Sequence, residues 1–407
     1  MNMKKTIKIF VLGLLSAALF SCQDAKLPTI DNMVYISDAA TGRISSVLMS
    51  DEETEVIISV RLAKAVSEDV KVSVTVDPTI LEQYNKTYGS SYKHVAAENI
   101  DPLPLVVIKA GNVSSDPVKI TIHPFDTQGA PYALSVKLTS NGVVPVAEES
   151  SKYIVQLTKP LKQLVPKFSY QNAMEVAPVN EDWGLDLMNY TLEWWVRMTG
   201  RYDDASGFNV NNQAIINSGS GTRGCELYIR FGDLQYQEGW SYNHRFLQIK
   251  TMGGQFDTGD PTAGKALNSG QWYHFAITYD GNKGESILYQ DGVAVNTLST
   301  GAGRPMYLDR FQMCSSGSQY FPNYAEMCQV RIWKTTRTAD QIQKNMRSEV
   351  EYTHPDLVMY LPMNEGPGAT VLNDVSNNGH NAAIGNLSSA GGSNDEAVAW
   401  TEYDFRK

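Results

Sequence analysis

The sequence predicts an all-β protein that consists of two successive β-sandwiches. Two observations lead to this fold class. Short runs of alternating apolar and polar residues recur along most of the 407 residues, which is the pattern of strands with one buried face. Glycine, proline, asparagine and aspartate separate these runs, as expected of tight turns. Helical patterns are confined to two short segments, Pro78 to Tyr88 and Ala339 to Arg347.

Residues 1–21 look like a bacterial lipoprotein signal peptide. Three lysines precede an apolar stretch that ends at Phe20, and Ser21 supplies the small residue before Cys22. We expect cleavage before Cys22, lipidation of this cysteine and export of the remaining chain. An uncleaved anchor is the alternative, although the apolar stretch is short for a transmembrane helix.

The charge of the chain argues against one class of partner. The sequence has 34 basic and 44 acidic residues, which gives a net charge of -10. Removal of the signal peptide takes away lysines and no acids, so the mature chain is more acidic still. An acidic surface repels phosphate backbones, and no basic cluster interleaved with aromatic residues compensates for it. Nucleic acid is therefore excluded as a partner.

Besides Cys22, the cysteines are Cys225, Cys314 and Cys328. An odd number permits at most one disulfide within the chain. Cys314 and Cys328 fall beside strands that are predicted to be neighbours. The sequence leaves two alternatives open, a disulfide between these two residues or three buried free thiols.

The first predicted domain covers residues 31–160 and follows a polar tether at residues 22–30. In the runs EVIISVRL and VKVSVTV, apolar and polar residues alternate with a period of two. This pattern fits strands that have one face in the core and the other in water. Seven such strands in this region predict an Ig-like sandwich. The predicted strands are Val34 to Ile36, Glu55 to Leu62, Val70 to Val76, Leu105 to Ile108, Val118 to Ile122, Tyr132 to Leu138 and Tyr153 to Leu157.

Three segments of this domain carry a resemblance: Val76 to Asn85, Ile108 to Gly111 and Tyr132 to Ser140. They resemble the Ig-like N-terminal domain, of unassigned function, of surface lipoproteins of Bacteroidota. Such lipoproteins commonly serve glycan-utilisation systems, and some carry an endo-β-N-acetylglucosaminidase domain behind this module. The resemblance implies a lipid-anchored protein of the outer membrane that faces the cell exterior, beside hydrolases and an importer of the same system.

The second predicted domain covers residues 161–407 and is rich in aromatic residues, glycine and asparagine. Its strand-like runs need two stacked sheets to bury their apolar faces, which predicts a jelly roll. The predicted strands are Met174 to Ala177, Tyr190 to Thr199, Gln213 to Asn217, Glu226 to Phe231, Phe246 to Thr251, Trp272 to Tyr279, Glu285 to Gln290, Val293 to Leu298, Asp309 to Met313, Glu326 to Trp333 and Leu357 to Pro362.

Four motifs follow one another in this domain. They are YTLEWWV at Tyr190 to Val196, QWYHFAITYD with the turn sequence YQDGV after it, VRIW at Val330 to Trp333, and YLPMNEG at Tyr360 to Gly366. In order and content they resemble laminin-G-like domains of the concanavalin A class. The resemblance implies a concanavalin A-like jelly roll, a fold that hosts both lectins and glycosidases.

The sequence lacks the familiar catalytic patterns. Related glucanases carry Glu-x-Asp-x-x-Glu, which projects an acid and a nucleophile from one strand face. Here Glu193 and Glu326 are each alone in their strand, and His274 lies in a core strand where a structural role is expected. No Gly-x-Ser-x-Gly or His-Glu-x-x-His motif occurs. We predict a noncatalytic protein; a glycoside hydrolase with noncontiguous acids and a protein-binding adhesin are the alternatives.

A lectin site combines aromatic rings, which pack on the flat face of a sugar, with polar side chains that bind its hydroxyl groups. Two loop regions have this mixture, Leu234 to Arg245 and Gln319 to Tyr324, although an aromatic residue there could merely cap the sandwich edge. The candidate ligand-binding residues are Arg223, Tyr236, Trp240, Tyr242, His244, Tyr320, Phe321, Asn323 and Tyr324.

Loop aspartates are candidates for a calcium site, because calcium prefers hard oxygen ligands. The candidates are Asp203, Asp204, Asp257 and Asp260, and ordinary solvated acids are the alternative. Together, motifs and resemblance predict a cell-surface glycan-binding lipoprotein. The resemblance implies a high-mannose N-glycan as the first candidate ligand, with plant or fungal polysaccharide as the alternative.

Overall fold

The computed structural model describes residues 31–406 apart from residues 141, 143, 177–182, 184, 203–205, 219–226, 234–235, 309 and 386–395. Strands dominate the described residues, so the predicted all-β fold is confirmed. Within these residues no helix combines the length and the apolar character needed to cross a membrane.

The first domain contains mainly strands and two α-helices. These elements are β1 Val34–Ile36, α1 Ser37–Thr41, β2 Ile44–Leu48, β3 Thr54–Ile58, β4 Val60–Leu62, β5 Val70–Val76, α2 Pro78–Tyr88, β6 Lys93–His94, β7 Leu105–Ile108, β8 Val118–Ile122, β9 Tyr132–Ser140 and β10 Lys152–Thr158. Helix α2 has the predicted bounds. Its first turn is capped by the Asp77 side chain, and Gly89 ends it with a φ of 63°.

The main sheet of the first domain has the strand order β2-β10-β9-β5-β7, with β6 beside β9. The pairs β1–β4 and β3–β8 lie against it. Alternate residues of β5, among them Val70 and Val72, face a core that also contains Val56, Ile58 and Val136. Because one face of each strand is buried in this way, the domain is the sandwich that the alternation predicted.

The second domain begins with a strand at Lys162 and ends with one at Asp404. Its elements are β11 Lys162–Phe168, β12 Met174–Val176, β13 Asp186–Leu187, β14 Asn189–Thr199, β15 Gln213–Ser218, β16 Leu227–Phe231, β17 Tyr236–Glu238, β18 Ser241–Asn243, β19 Leu247–Thr251, β20 Gly254–Asp257, β21 Trp272–Asp280, β22 Glu285–Gln290, β23 Val293–Ser299, β24 Met306–Tyr307, β25 Phe311–Met313, α3 Gly317–Tyr320, β26 Tyr324–Trp333, α4 Ala339–Asn345, β27 Leu357–Leu361, β28 Val371–Leu372, β29 Ala382–Ala383 and β30 Ala399–Asp404.

Two large sheets form this domain. Sheet I has the order β23-β22-β21-β14-β26-β11-β30, with β27 paired to β26, and sheet II has the order β20-β19-β16-β15-β25-β12-β29-β28. Leu192, Trp194 and Ile277 of sheet I pack with Ile229 and Ile249 of sheet II in one core. The predicted two-sheet sandwich is thus confirmed.

The edge of sheet I contains two strands that the sequence analysis missed. Strand β11 pairs antiparallel with β30 from Lys162 opposite Asp404 to Lys167 opposite Ala399. The pairing of β11 with β26 is limited to Lys167 and Phe168, so Pro166, which cannot donate a ladder hydrogen bond, lies outside it. The first and last strands of the domain therefore lie side by side.

The face of sheet I that turns away from the core carries a buried charge cluster. The Glu193 carboxylate is fully buried, accepts a hydrogen bond from Trp333 Nε1 at 2.7 Å and lies 3.8 Å from Nη1 of both Arg331 and Arg337. Burial alone would raise the pKa of Glu193, but the two arginines outweigh it and hold the pKa below its usual value.

The two arginines connect this carboxylate to helix α4 and to the segment after it. Arg331 donates to the backbone oxygens of Asn345 and Ser348, and Arg337 donates to the Asn345 side chain. His274 is buried on the same face, where burial lowers its pKa to about 4. A neutral histidine at this place fits the structural role expected for it.

The segment after α4 also contacts the first domain. Tyr352 N donates to Gln128 O at 3.0 Å, and Lys93 Nζ lies 2.8 Å from the Glu351 carboxylate. The backbones approach most closely at Gly129, where a Cβ would lie 1.9 Å from Val350 O. A cavity of about 560 Å³ lies between the domains beside these contacts.

We expect Glu193→Gln to lower the free energy of unfolding of the second domain by about 3 kcal/mol, because two buried arginines lose their counter-charge. Chemical denaturation followed by tryptophan fluorescence measures this. The control is Glu402→Gln, which breaks an exposed pair with Lys162 and should leave the midpoint unchanged. An unchanged midpoint in Glu193→Gln would contradict the importance of this cluster.

We expect Gly129→Ala to separate the two domains, since the added Cβ collides with Val350 O. Gly111→Ala is the matched control. Gly111 has a similar backbone conformation, with a φ of 81° compared with 69° at Gly129, but no other atom lies within 4 Å of a Cβ added there. Both variants pay the left-handed backbone cost of about 1–2 kcal/mol. Small-angle X-ray scattering should show a larger radius of gyration for Gly129→Ala than for Gly111→Ala. Equal radii of gyration for the two variants would contradict this prediction.

Candidate functional site

Several loops of the second domain leave the two sheets at the same end. Thr199 pairs with Tyr324 and Arg197 with Trp272 in sheet I, so the connections beside these residues share that end. Phe231 pairs with Leu247 at the corresponding end of sheet II. We name the described residues of these connections the loop rim. The loop rim comprises the described parts of residues 200–212, 232–246, 258–271 and 314–323.

The most prominent part of the loop rim is the hairpin formed by β17 and β18. Glu238 pairs with Ser241, so Gly239 and Trp240 form a two-residue turn. Gly239 has a φ of 61°, which suits glycine at the first central position of a type II′ turn. The Trp240 side chain is fully exposed and Tyr242 is 59% exposed. The hairpin thus holds an indole ring in solvent, where a ligand can reach it.

A pocket of about 310 Å³ opens beside this hairpin. Phe208 is buried and packs edge-on against Phe231, with the two ring centres 5.1 Å apart. Its ring forms the apolar part of the pocket. The pocket is lined by Ser206, Phe208, Ser241, Tyr242, Asn243, His244 and Arg245. Two predicted site residues, Tyr242 and His244, therefore lie in one pocket. Arg245, the last residue of the predicted region Leu234 to Arg245, also lines the pocket and was not among the predicted ligand-binding residues.

Backbone and loop contacts fix the polar side chains of the pocket. Arg245 donates from Nε to Leu267 O at 2.7 Å and from Nη2 to Asn268 Oδ1 at 2.7 Å. His244 packs so closely on Gly232 that a Cβ at residue 232 would lie 2.5 Å from the His244 Cβ. Burial lowers the pKa of His244, so this imidazole is neutral at neutral pH.

Tyr236 connects the β17–β18 hairpin to the body of the domain. Its hydroxyl donates to Asp257 Oδ2 at 3.0 Å, and its ring packs edge-on against Phe246 at 4.8 Å. Burial, followed by the Asp257 carboxylate, raises the pKa of Tyr236 to about 12. Since its hydroxyl and ring are both engaged within the protein, Tyr236 anchors the hairpin.

The predictions for residues 320–324 are corrected in part. Tyr320 is 40% exposed, but Phe321 is fully buried in the core. Asn323 is buried as well, and its Nδ2 donates to the side chains of Asn209 and Gln213 at 2.7 and 2.9 Å. Phe321 and Asn323 were therefore wrong as ligand contacts: the first fills the core and the second ties loops together.

Tyr324 is half-buried at the start of β26. Its hydroxyl donates to Glu396 Oε1 at 2.6 Å, and the Lys167 ammonium lies 4.3 Å from its ring centre. One edge and one face of this ring are thus occupied by neighbouring side chains. Arg223 lies outside the described residues; Ser218 and Leu227, which border residues 219–226, pair at the end of sheet II opposite to Phe231.

The two described calcium candidates serve as hydrogen-bond acceptors within their loops. Asp257 accepts from Tyr236 and from Gly259 N, and Asp260 accepts from Thr262 N and its hydroxyl. Asp203 and Asp204 lie outside the described residues. In the part of the chain that the structure describes, no three histidine, cysteine, aspartate or glutamate side chains could share a metal ion.

Cys314 and Cys328 are free and buried. Burial raises the pKa of both thiols, which keeps them protonated and unreactive at neutral pH. Of the two alternatives, the structure selects free thiols for this pair. Cys225 lies outside the described residues.

Comparison with protein families agrees with the fold. Residues 171–343 match the model of the concanavalin A-like lectin/glucanase superfamily, and residues 30–144 match a model described as an N-terminal domain. No curated protein matches the chain. The laminin-G-like domain that the sequence motifs implied is therefore present.

The fold is similar to the crystal structure of a proposed carbohydrate binding protein from Bacteroides ovatus. The sequence identity is 20%, the match covers 91% of this chain and 97% of that chain, and the TM-score is 0.63. Weaker matches include EndoBT-3987 from Bacteroides thetaiotaomicron with a Man5GlcNAc product, at 16% identity, 31% and 30% coverage and a TM-score of 0.27. A two-domain protein of unknown function from Bacteroides fragilis has 13% identity, 70% and 94% coverage and a TM-score of 0.28. The first match shows that both domains of this fold occur together in another protein.

We expect Phe321→Ala to lower the free energy of unfolding by about 3 kcal/mol, because it leaves a cavity in the core. Tyr320→Ala, one residue earlier, removes a partly exposed ring and should change the free energy of unfolding little. Urea denaturation of both variants checks the assignment. Equal effects of the two substitutions would show that the core position of Phe321 is misassigned.

Proposed function

We propose that this protein binds carbohydrate without cleaving it, at the loop rim. The observation that carries the proposal is the fully exposed Trp240 at the hairpin tip, next to a pocket of about 310 Å³. A fully exposed indole ring beside a pocket offers an apolar surface that a ligand can cover. The superfamily of the second domain and the description of the Bacteroides ovatus protein support a carbohydrate as that partner.

The chemistry of the pocket suits a sugar. The flat apolar face of a pyranose can pack on the Trp240 or Tyr242 ring. Its hydroxyl groups both donate and accept hydrogen bonds, and Ser206, Ser241 and His244 can do the same. Since contacts with Gly232, Leu267 and Asn268 hold the His244 and Arg245 side chains in place, these two residues lose little conformational entropy on binding.

The carboxylates on sheet I favour binding over catalysis. A retaining glycosidase needs two carboxylates about 5–5.5 Å apart in an open cleft. Glu193 is fully buried beside Trp333 and the two arginines, and Glu326 is buried and bound to Arg197. Neither lines the pocket at the loop rim. The described residues of the pocket therefore offer no acid to protonate a glycosidic oxygen.

We further propose that lipidated Cys22 anchors the protein to the outer membrane, with the loop rim toward the exterior. Val34 bonds to Pro145 and Ala147, between the end of β9 and the start of β10, and β10 runs from there toward the second domain. Strand β26 connects the two regions: it begins at Tyr324 beside the loop rim and ends at Trp333, which lines the interdomain cavity. The chain thus enters at one end of the molecule and presents the loop rim at the other. Partners would include hydrolases and an importer of a glycan-utilisation system.

The test is a glycan array probed with the chain from Gln23 to Lys407, including high-mannose N-glycans and plant and fungal polysaccharides, with an assay for cleavage of bound sugars. We expect binding without cleavage and a loss of at least about tenfold in affinity for Trp240→Ala. Tyr88→Ala, which removes an exposed ring from the first domain, is the control and should bind normally.

Each of the other outcomes would indicate a different function or a different binding site. Cleavage would identify a glycoside hydrolase. Binding that survives Trp240→Ala would place the site elsewhere, and silence across the array would favour a protein-binding adhesin.

A further inference from the structure

Arg245 has no carboxylate partner among the described residues of this acidic protein. The chain has a net charge of -10, and most of the arginines near the loop rim pair with an acid. Within the described part of the chain, the Arg245 side chain donates to Leu267 O and Asn268 Oδ1, two neutral acceptors. The arginines with carboxylate partners in the second domain are Arg197, Arg201, Arg230, Arg331, Arg337 and Arg406.

The two hydrogen bonds of Arg245 hold its guanidinium group in place. Nε and one N–H of Nη2 are used, so the Nη1 group and the other N–H of Nη2 are left for a ligand. A fixed guanidinium group is suited to carboxylate recognition, because its parallel N–H groups match the two carboxylate oxygens. Arg245 also lines the pocket beside Trp240 and is only half-buried, so a ligand can reach it.

The described lining of the pocket contains no acidic side chain. The described aspartates in and beside the loop rim bond to other groups: Asp233 pairs with Arg230, Asp257 accepts from Tyr236 and Gly259 N, and Asp260 accepts from Thr262. His244 contributes no charge at neutral pH, because burial lowers its pKa. The positive charge of Arg245 in this pocket is therefore not balanced by the described residues that surround it.

We propose that the pocket takes a sugar residue that carries a carboxylate, with Arg245 bound to this group and the adjoining sugar packed on Trp240. This inference rests on the proposed function of the loop rim and names its ligand class. It favours an acidic glycan over the neutral high-mannose glycan that the sequence resemblance implies. Uronic acids and sialic acids share the required carboxylate, and the experiment separates these two sources.

The experiment compares matched probes by titration calorimetry on the chain from Gln23 to Lys407. Trigalacturonic acid is compared with its methyl ester, and sialyllactose with lactose. We expect the acidic member of one pair to bind at least about tenfold more tightly than its neutral counterpart, because only the acidic member forms a charge-assisted pair with Arg245. The pair that shows the preference identifies the source of the carboxylate.

Arg245→Gln tests the residue itself. It removes the charge while keeping an N–H donor for Leu267 O, and we expect it to abolish the preference for the acidic probe. Arg406→Gln removes an arginine from an exposed pair with Asp404 and is the control, for which the preference should persist. Raised salt should weaken only the acidic probe.

The inference fails if the wild-type protein binds the neutral member of both pairs equally well or better, or if Arg245→Gln keeps the preference. Should neutral sugars bind in a manner that depends on Trp240, the proposed function stands and only the acidic ligand is refuted. Should no sugar bind at all, both are refuted. The comparison of wild-type probes decides the matter even if Arg245→Gln does not fold.

Discussion

The second domain depends on one constraint, the burial of the Glu193 carboxylate. An ionised carboxylate away from water is strongly unfavourable unless charges and hydrogen bonds compensate for it. Arg331, Arg337 and the Trp333 indole provide that compensation. Because both arginines also bind the end of helix α4, the chain between β26 and β27 can take only a conformation that covers this carboxylate. The part of the outer face of sheet I around Glu193 is thereby shielded from solvent.

The second domain therefore has two distinct regions: the covered part of sheet I around Glu193, and the loop rim. Near the interdomain contact, charged groups hold α4 and the residues after it in place. At the loop rim, neutral amides connect the segments: buried Asn323 donates to Asn209 and Gln213, which ties the loop after β14 to the segment before β26. The β17–β18 hairpin that carries Trp240 is anchored separately, by the Tyr236 hydroxyl on Asp257.

The sequence predicted those features that are encoded locally. The bounds of α2 follow from Asp77 and Gly89, and the exposure of Trp240 follows from a stretch without aliphatic residues. The sequence could not separate Tyr320 from Phe321, because adjacent aromatic residues differ only in which way the folded chain turns them. Strand β30 was missed for a related reason: most of its side chains remain exposed or half-buried, so it lacks the alternation of a core strand. Its pairing with β11 is a property of the whole domain.

The contact at Gly129 has an evolutionary consequence. Its backbone lies so close to Val350 that no side chain fits between the two domains. A gene rearrangement that joined either domain to a new neighbour would therefore lose this contact unless residues 346–356, or an equivalent loop, came along. A new neighbour of the first sandwich would therefore need its own way of packing beside Gly129.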